Sequence, residues 1–157
     1  MSAIATVLAA MGHHVSGSDL KDSAGLRRLE AAGVRVYVGH HADHLDGAGL
    51  VAVSTAIPAH NAEVVAATER GVPVVRRAEI LAAIATTRRC VAVSGTHGKT
   101  TTSSMLALAL VQAGLEPSFI IGGELNEIGG GAVWGDGDLF VVEAGGHAIH
   151  EIGRAHV

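Results

Sequence analysis

Apolar residues run at helical spacing over Ala3–Met11, and Gly12 follows as a stop. His14–Ser16 then reads as a short strand ending in Gly17-Ser18-Asp19. Ser23–Ala32 reads as a second helix, with Ser23 placed to cap it and Gly33 to close it. Val34–Val38 alternates and is rich in branched residues, which predicts a strand. Leu50–Ser54 is an uninterrupted apolar run, of the kind found in a parallel sheet covered on both faces. Pro58 breaks the chain. After it come a helix at Asn61–Arg70 closed by Gly71, a strand at Val72–Val75 and a helix at Ala78–Ala85.

The pattern restarts after Thr86–Arg89, which reads as a boundary. Cys90–Ser94 is an apolar strand that feeds Gly95–Thr101, and a helix beginning near Lys99 has its apolar body over Thr102–Ala113, closed by Gly114. Ser118–Ile121 is a strand followed by Gly122-Gly123. The glycine-rich stretch Leu125–Gly137, with Trp134, reads as a mobile substrate loop, and Leu139–Val142 as a last strand ending at Glu143. Strands alternating with helices predict an α/β architecture with a mainly parallel sheet. The chain divides into a first part over 1–87 and a second over 88–144.

Composition narrows the function classes. With 48% hydrophobic and 17% charged residues among 157, the chain is too apolar for disorder and can bury a sizeable core. Its formal charge of -4 gives no basic face for nucleic acid, and 3% aromatics give no base-stacking surface. Cys90 is the only cysteine, which excludes an internal disulfide framework and a cysteine-based zinc site and fits a cytoplasmic setting. No apolar run approaches the roughly 18 residues of a membrane span, so no membrane insertion is expected. The first residues lack the basic start of a secretory signal. Histidines cluster at His13-His14 and at His40, His41 and His44, but without a recognised zinc arrangement; they read as surface or loop residues.

The strongest chemical signal is CVAVSGTHGKTT, Cys90 to Thr101. A strand feeds a glycine loop, and the loop feeds a helix. Such a loop aims several backbone N–H groups at one point, at the positive end of the helix dipole. Lys99 is placed to face the β- and γ-phosphates of a nucleotide as a point charge, and the Thr100 hydroxyl to take one Mg²⁺ position. The common phosphate-loop pattern has glycine where Val93 stands.

The loop AVSGTHGKTTT is similar to that of the Mur ligase family, which keeps a small residue at Ala92 and reads Gly-Thr-x-Gly-Lys-Thr. Further strings carry the resemblance: VSGSD at 15–19, STAIP at 54–58, RRAEIL at 76–81 and IGGELN at 121–126. Their order matches from Met1 to about Ala144. The resemblance implies a Rossmann-like UDP-sugar-binding domain over 1–87 followed by the start of a central ATP-binding domain over 88–144. It implies ATP-dependent ligation of L-alanine to UDP-N-acetylmuramate through an acyl phosphate, a cytoplasmic step of peptidoglycan synthesis. ATP would lie on Gly95, Thr96, His97, Gly98, Lys99, Thr100 and Thr101. Lys99 and His97 would serve the chemistry, and Thr100 and Glu143 would hold Mg²⁺. Ser18, Asp19, Ser54 and Ala56 would line the UDP-sugar site. Arg76 and Arg77 read as hinge or surface charges.

Three other readings compete. A sibling ligase attaches a preformed peptide to the same UDP-sugar. A non-catalytic phosphate-loop module binds nucleotide alone, although the strings of the first part have no reason to precede it. A nicotinamide dehydrogenase lacks its Gly-x-Gly-x-x-Gly turn here.

Both ends depart from the family pattern. The family opens with a strand and a glycine-rich turn before a Met-Ser like Met1-Ser2, so the first strand of the UDP-sugar domain is expected to be missing. After Glu143-Ala144 the family continues with an Asp-Glu-Ser-Asp run, whereas Gly145-Gly146-His147 stands here. EIGRAHV at 151–157 back-translates to a common sequencing-library adapter, so 145–157 is expected to be partly artefact. The expectation is a truncated piece that does not ligate by itself.

Overall fold

The computed structural model describes residues 1–122 and 130–145. The chain forms two compact units, Met1–Ile80 and Leu81–Val157.

The first unit opens with helix α1 (Ser2–Ala10) and strand β1 (Ser16–Asp19). Helix α2 (Ala24–Ala31) and strand β2 (Arg35–Val38) follow. The Ser23 hydroxyl accepts from the Leu26 N–H at 3.3 Å and so caps α2, as its residue type predicts. β1 and β2 pair in parallel, Ser16 opposite Arg35 and Asp19 opposite Val38. This corrects the expected strand at His14–Ser16: Gly17, Ser18 and Asp19 lie within the strand rather than after it. Hydrogen bonding to β2 holds these polar residues extended, and the ladder outweighs their weak strand preference. Leu26, Leu29 and Val34 form the core here, with Ala5, Ala9, Val15 and Val36 packed against it.

A 3₁₀ turn (Ala42–Leu45) leads to strand β3 (Val51–Val53), helix α3 (Ala62–Glu69) and strand β4 (Val74–Arg76). β3 and β4 make a second parallel pair. β4 begins two residues later than the pattern predicts. The Val72 N–H is taken by Ala67 O at 2.9 Å, ending α3, and Pro73 has no N–H to give a ladder. Leu45, Ala66 and Ala67 are the buried centre of this half.

Helix α4 (Arg77–Ala85) precedes the second unit's sheet. That sheet has the order β5 (Arg89–Val93), β8 (Leu139–Glu143), β6 (Ser118–Ile120), β7 (Ala132–Val133). β5, β8 and β6 run parallel, and β7 is an antiparallel edge. Helix α5 (Lys99–Gln112) covers one face, where Ala107, Phe119, Ile121 and Val141 make the core. Burial pushes the Cys90 thiol on β5 above its ordinary pKa.

The expected mobile loop is corrected over its described part. Residues 130–137 carry β7, and Arg88 stacks 4.0 Å over the Trp134 ring while donating to Gly137 O. Gly135 N–H donates to Ser118 Oγ at 3.1 Å and Gly137 N–H to Glu116 O at 2.9 Å. These long-range contacts are invisible in a local glycine count. Residues 123–129, which include Leu125 and most of IGGELN, and residues 146–157 of the expected artefactual tail lie outside the described residues. No helix among the described residues is long and apolar enough to cross a membrane.

Candidate phosphate loop and polar cluster

In the second unit, the parallel strands place their carboxyl ends side by side, which is where α/β sheets present ligand groups. β5 ends at Val93, and Ser94–Gly98 turn the chain into α5. Gly98 stands at the helix N-cap with φ 74°, a left-handed conformation that glycine adopts without strain. The Lys99 ammonium donates to Gly95 O at 2.7 Å, so the side chain lies back over the loop. Thr96, His97 and Thr101 are exposed, and the His97 ring has no hydrogen-bond partner among the described residues.

Glu143 ends the central strand β8 between β5 and β6. The Thr100 hydroxyl donates to Glu143 Oε2 at 2.9 Å, and the Gly122 N–H donates to the same oxygen at 2.9 Å. Residues 43 positions apart thus meet at the mouth of the loop. Gly122 allows this approach: a Cβ there would lie 2.9 Å from Glu143 Oε2. Sequence reading singled out Thr100 and Glu143 but missed Gly122, whose role depends on which strand lies beside β8. Buried Ser103 locks the first helical turn, donating to Lys99 O at 2.8 Å.

The first unit holds a second polar group. The Ser18 hydroxyl donates to Glu63 Oε2 at 2.7 Å and lies 2.8 Å from His40 Nδ1. His44 Nδ1 lies 2.9 Å from Glu63 Oε1, and its ring stacks on Tyr37 with centroids 4.1 Å apart. His40 lies in the loop after β2, as expected, and His44 in the 3₁₀ turn, but neither is a free surface residue: their side chains are only 16% and 19% exposed. Glu63 was not foreseen. Its one local signal is Asn61, which caps α3 by accepting the Glu63 N–H at 2.9 Å.

Asp19 is exposed and accepts from the Lys21 N–H at 3.3 Å. Ser54 and Ala56 lie in the turn after β3, where Ile57 N–H donates to Ser54 O at 3.1 Å. No hydrogen bond joins either of them to Ser18 or Asp19 among the described residues. The Arg76 N–H donates to Glu79 at 2.6 Å, closing the start of α4.

Comparison with known proteins matches residues 1–89 to the family described as "Mur ligase family, catalytic domain". The chain is 54% identical over 144 residues to the UDP-N-acetylmuramate--L-alanine ligase of Rubrobacter xylanophilus, covering 92% of this chain and 32% of that protein. Identity to the same-named ligase of Paracidovorax citrulli is 52%, over 92% of this chain and 30% of that protein. The chain therefore spans about a third of the length of these relatives. Among solved structures, the UDP-N-acetylmuramate:L-alanyl-gamma-D-glutamyl-meso-diaminopimelate ligase of Neisseria meningitides superposes with TM-score 0.82 at 33% identity, over 92% of this chain and 48% of that one. The UDP-N-acetylmuramate-alanine ligase of Thermotoga maritima gives TM-score 0.82 at 28% identity, over 91% of this chain and 34% of that one.

Proposed function

The chain belongs to the Mur ligase family, and on that premise we propose that it carries the ATP and UDP-sugar sites of an amide-forming ligase that joins L-alanine to UDP-N-acetylmuramate. The setting is cytoplasmic peptidoglycan synthesis, and through it cell shape and division. The observation that best supports the reading is the meeting of Thr100 and Glu143 beside the glycine loop.

Carboxylates are poor electrophiles, so the lactyl carboxylate first takes the γ-phosphoryl group of ATP, releasing ADP. The L-alanine amine then attacks the acyl phosphate carbon, phosphate leaves with its bonding pair, and the amine loses a proton. The protein's work is positioning and charge neutralisation. The loop N–H groups of Gly95–Gly98 and the start of α5 cradle phosphate, and Lys99 swings from Gly95 O onto the β- and γ-oxygens. Thr101 lies in the first turn of the same helix. His97 is free in the loop to contact phosphate or the acid substrate. Thr100 and Glu143 offer one hydroxyl and one carboxylate oxygen, which suits Mg²⁺ sharing its other positions with phosphate and water. Bound there, Mg²⁺ would offset charge on the transferring group. Ser18, Asp19, Ser54 and Ala56 serve the UDP-sugar.

Gly122→Ala tests the metal assignment through position alone. The added methyl is expected to push Glu143 off Thr100 and to lower the Mg²⁺ enhancement of ATP binding by about 10-fold or more. Glu143→Gln should do the same by removing the charge. ATP titrations with and without Mg²⁺ decide it, and an unchanged Mg²⁺ dependence in both variants refutes the assignment.

For the reaction, this chain can replace the matching 144 residues of the Rubrobacter xylanophilus ligase. ADP release that requires both UDP-N-acetylmuramate and L-alanine is expected. Release with a preformed peptide but not with alanine would favour the sibling activity, to which the Neisseria similarity also points. ATP binding without UDP-sugar binding would leave a nucleotide-binding module.

A further inference from the structure

The polar cluster of the first unit has a fixed direction of proton donation. Ser18 has one hydroxyl hydrogen, and an ionised carboxylate can only accept. At 2.7 Å from Glu63 Oε2, that hydrogen goes to Glu63. The opposite assignment would press two unshielded oxygens together. Ser18 Oγ then has only lone pairs left for His40, so His40 Nδ1, 2.8 Å away, must be the N–H donor. A neutral His40 therefore carries its lone pair on Nε2. Nε2 has no hydrogen-bond partner among the described residues, and no buried side-chain polar atom there lacks a partner, so Nε2 reaches solvent.

The other carboxylate oxygen makes a second arm. Glu63 Oε1 takes His44 Nδ1 at 2.9 Å and the His41 N–H at 3.4 Å. Tyr37 stacks on His44, interplanar angle 9°, and holds that ring flat. Glu63 itself is fixed in the first turn of α3 by its N–H bond to Asn61, where its charge meets the positive end of the helix. One side chain, 16% exposed, thus ties together β1, the loop after β2, the 3₁₀ turn and α3.

We propose that Glu63 is a positioning residue of the first unit's ligand site: through Ser18 it holds His40 as the Nδ1–H tautomer and leaves Nε2 as an acceptor for an N–H or O–H donor on the bound nucleotide. The inference rests on the UDP-sugar reading of Ser18. It adds a residue that need not touch the ligand, and a polarity for the site: a hydrogen-bond acceptor faces the ligand there.

The test uses ¹⁵N imidazole spectra of this chain at pH 8, above the ordinary histidine range of about 6.5, with UDP as the probe. In the wild type, His40 is expected to give the Nδ1–H signature, and UDP to shift the Nε2 signal. Glu63→Gln, which can accept through only one atom, should mix the tautomers and weaken UDP binding by about 3- to 12-fold. Mg·ATP binding in the second unit should stay within twofold. Ser18→Ala cuts the relay with Glu63 intact and should mix the His40 tautomers too, which keeps the test alive if Glu63→Gln does not fold. An Nε2–H signature in the wild type overturns the proposal. So do variants that retain wild-type tautomer and UDP affinity. If UDP moves no signal of the first unit in the wild type, the UDP-sugar reading itself falls, a result distinct from UDP binding that is indifferent to Glu63.

Discussion

Lys99→Ala is expected to weaken Mg·ATP binding by this chain by about 30- to 150-fold. The estimate is the loss of a charge-assisted hydrogen bond, about 2–3 kcal/mol, converted at about 1.4 kcal/mol per tenfold. The geometry makes the loss specific. Lys99 opens α5, and its ammonium rests 2.7 Å from Gly95 O, over the loop whose amides would hold phosphate. Little in the fold depends on that bond, so the variant should unfold at the wild-type denaturant midpoint. Lys99→Arg should not restore affinity. A planar five-donor fork cannot replace a compact ammonium in a loop shaped around a point charge. In the grafted ligase, the same substitution should abolish alanine-dependent ADP release. An ATP affinity within threefold of wild type would show that the loop does not bind phosphate through Lys99.

The largest expected loss of stability comes from Phe140→Ala, at about 3–5 kcal/mol. Phe140 is fully buried on the central strand β8, opposite Cys90 of β5 and Ser118 of β6. Its ring meets Trp134 at a tilt, with centroids 6.5 Å apart and planes at 57°. Truncation leaves a cavity that the two flanking strands cannot close without breaking their ladders. The same strand ends in Glu143, three residues on, so the Thr100–Glu143 hydrogen bond should loosen with it. Met105→Ala is the control: Met105 is 68% exposed on α5, and its loss should stay within about 0.5 kcal/mol. Urea midpoints of the two variants check the contrast. If they differ by less than about 1 kcal/mol, β8 is not the packing centre of its unit.

Much of the fold around the candidate site was legible along the chain because it is local. Gly95–Thr101 announces a strand-to-helix glycine loop because the strand before it, the glycines within it and the helix after it are neighbours in sequence. Ser23 and the glycine stops likewise announce α2, since a cap acts within one turn. Strand ends were less legible. β1 includes Ser18 and Asp19 because β2 supplies the missing hydrogen bonds, and β4 starts late because Pro73 and the end of α3 use up its first positions.

What the sequence determined alone is therefore the α/β alternation, the glycine loop between β5 and α5 that carries Lys99 and Thr100, and the family, each written in residues near one another or in strings of fixed order. Tertiary structure alone decided that Glu143 reaches Thr100 across 43 residues and shares its oxygen with Gly122. It likewise decided that Glu63 gathers Ser18 from 45 residues away, and that residues 130–137 are packed rather than loose. The physical reason is common to all three. A side chain's distant partners follow from which strands pair and which helices pack on them, and those are set by the whole fold rather than by any local preference.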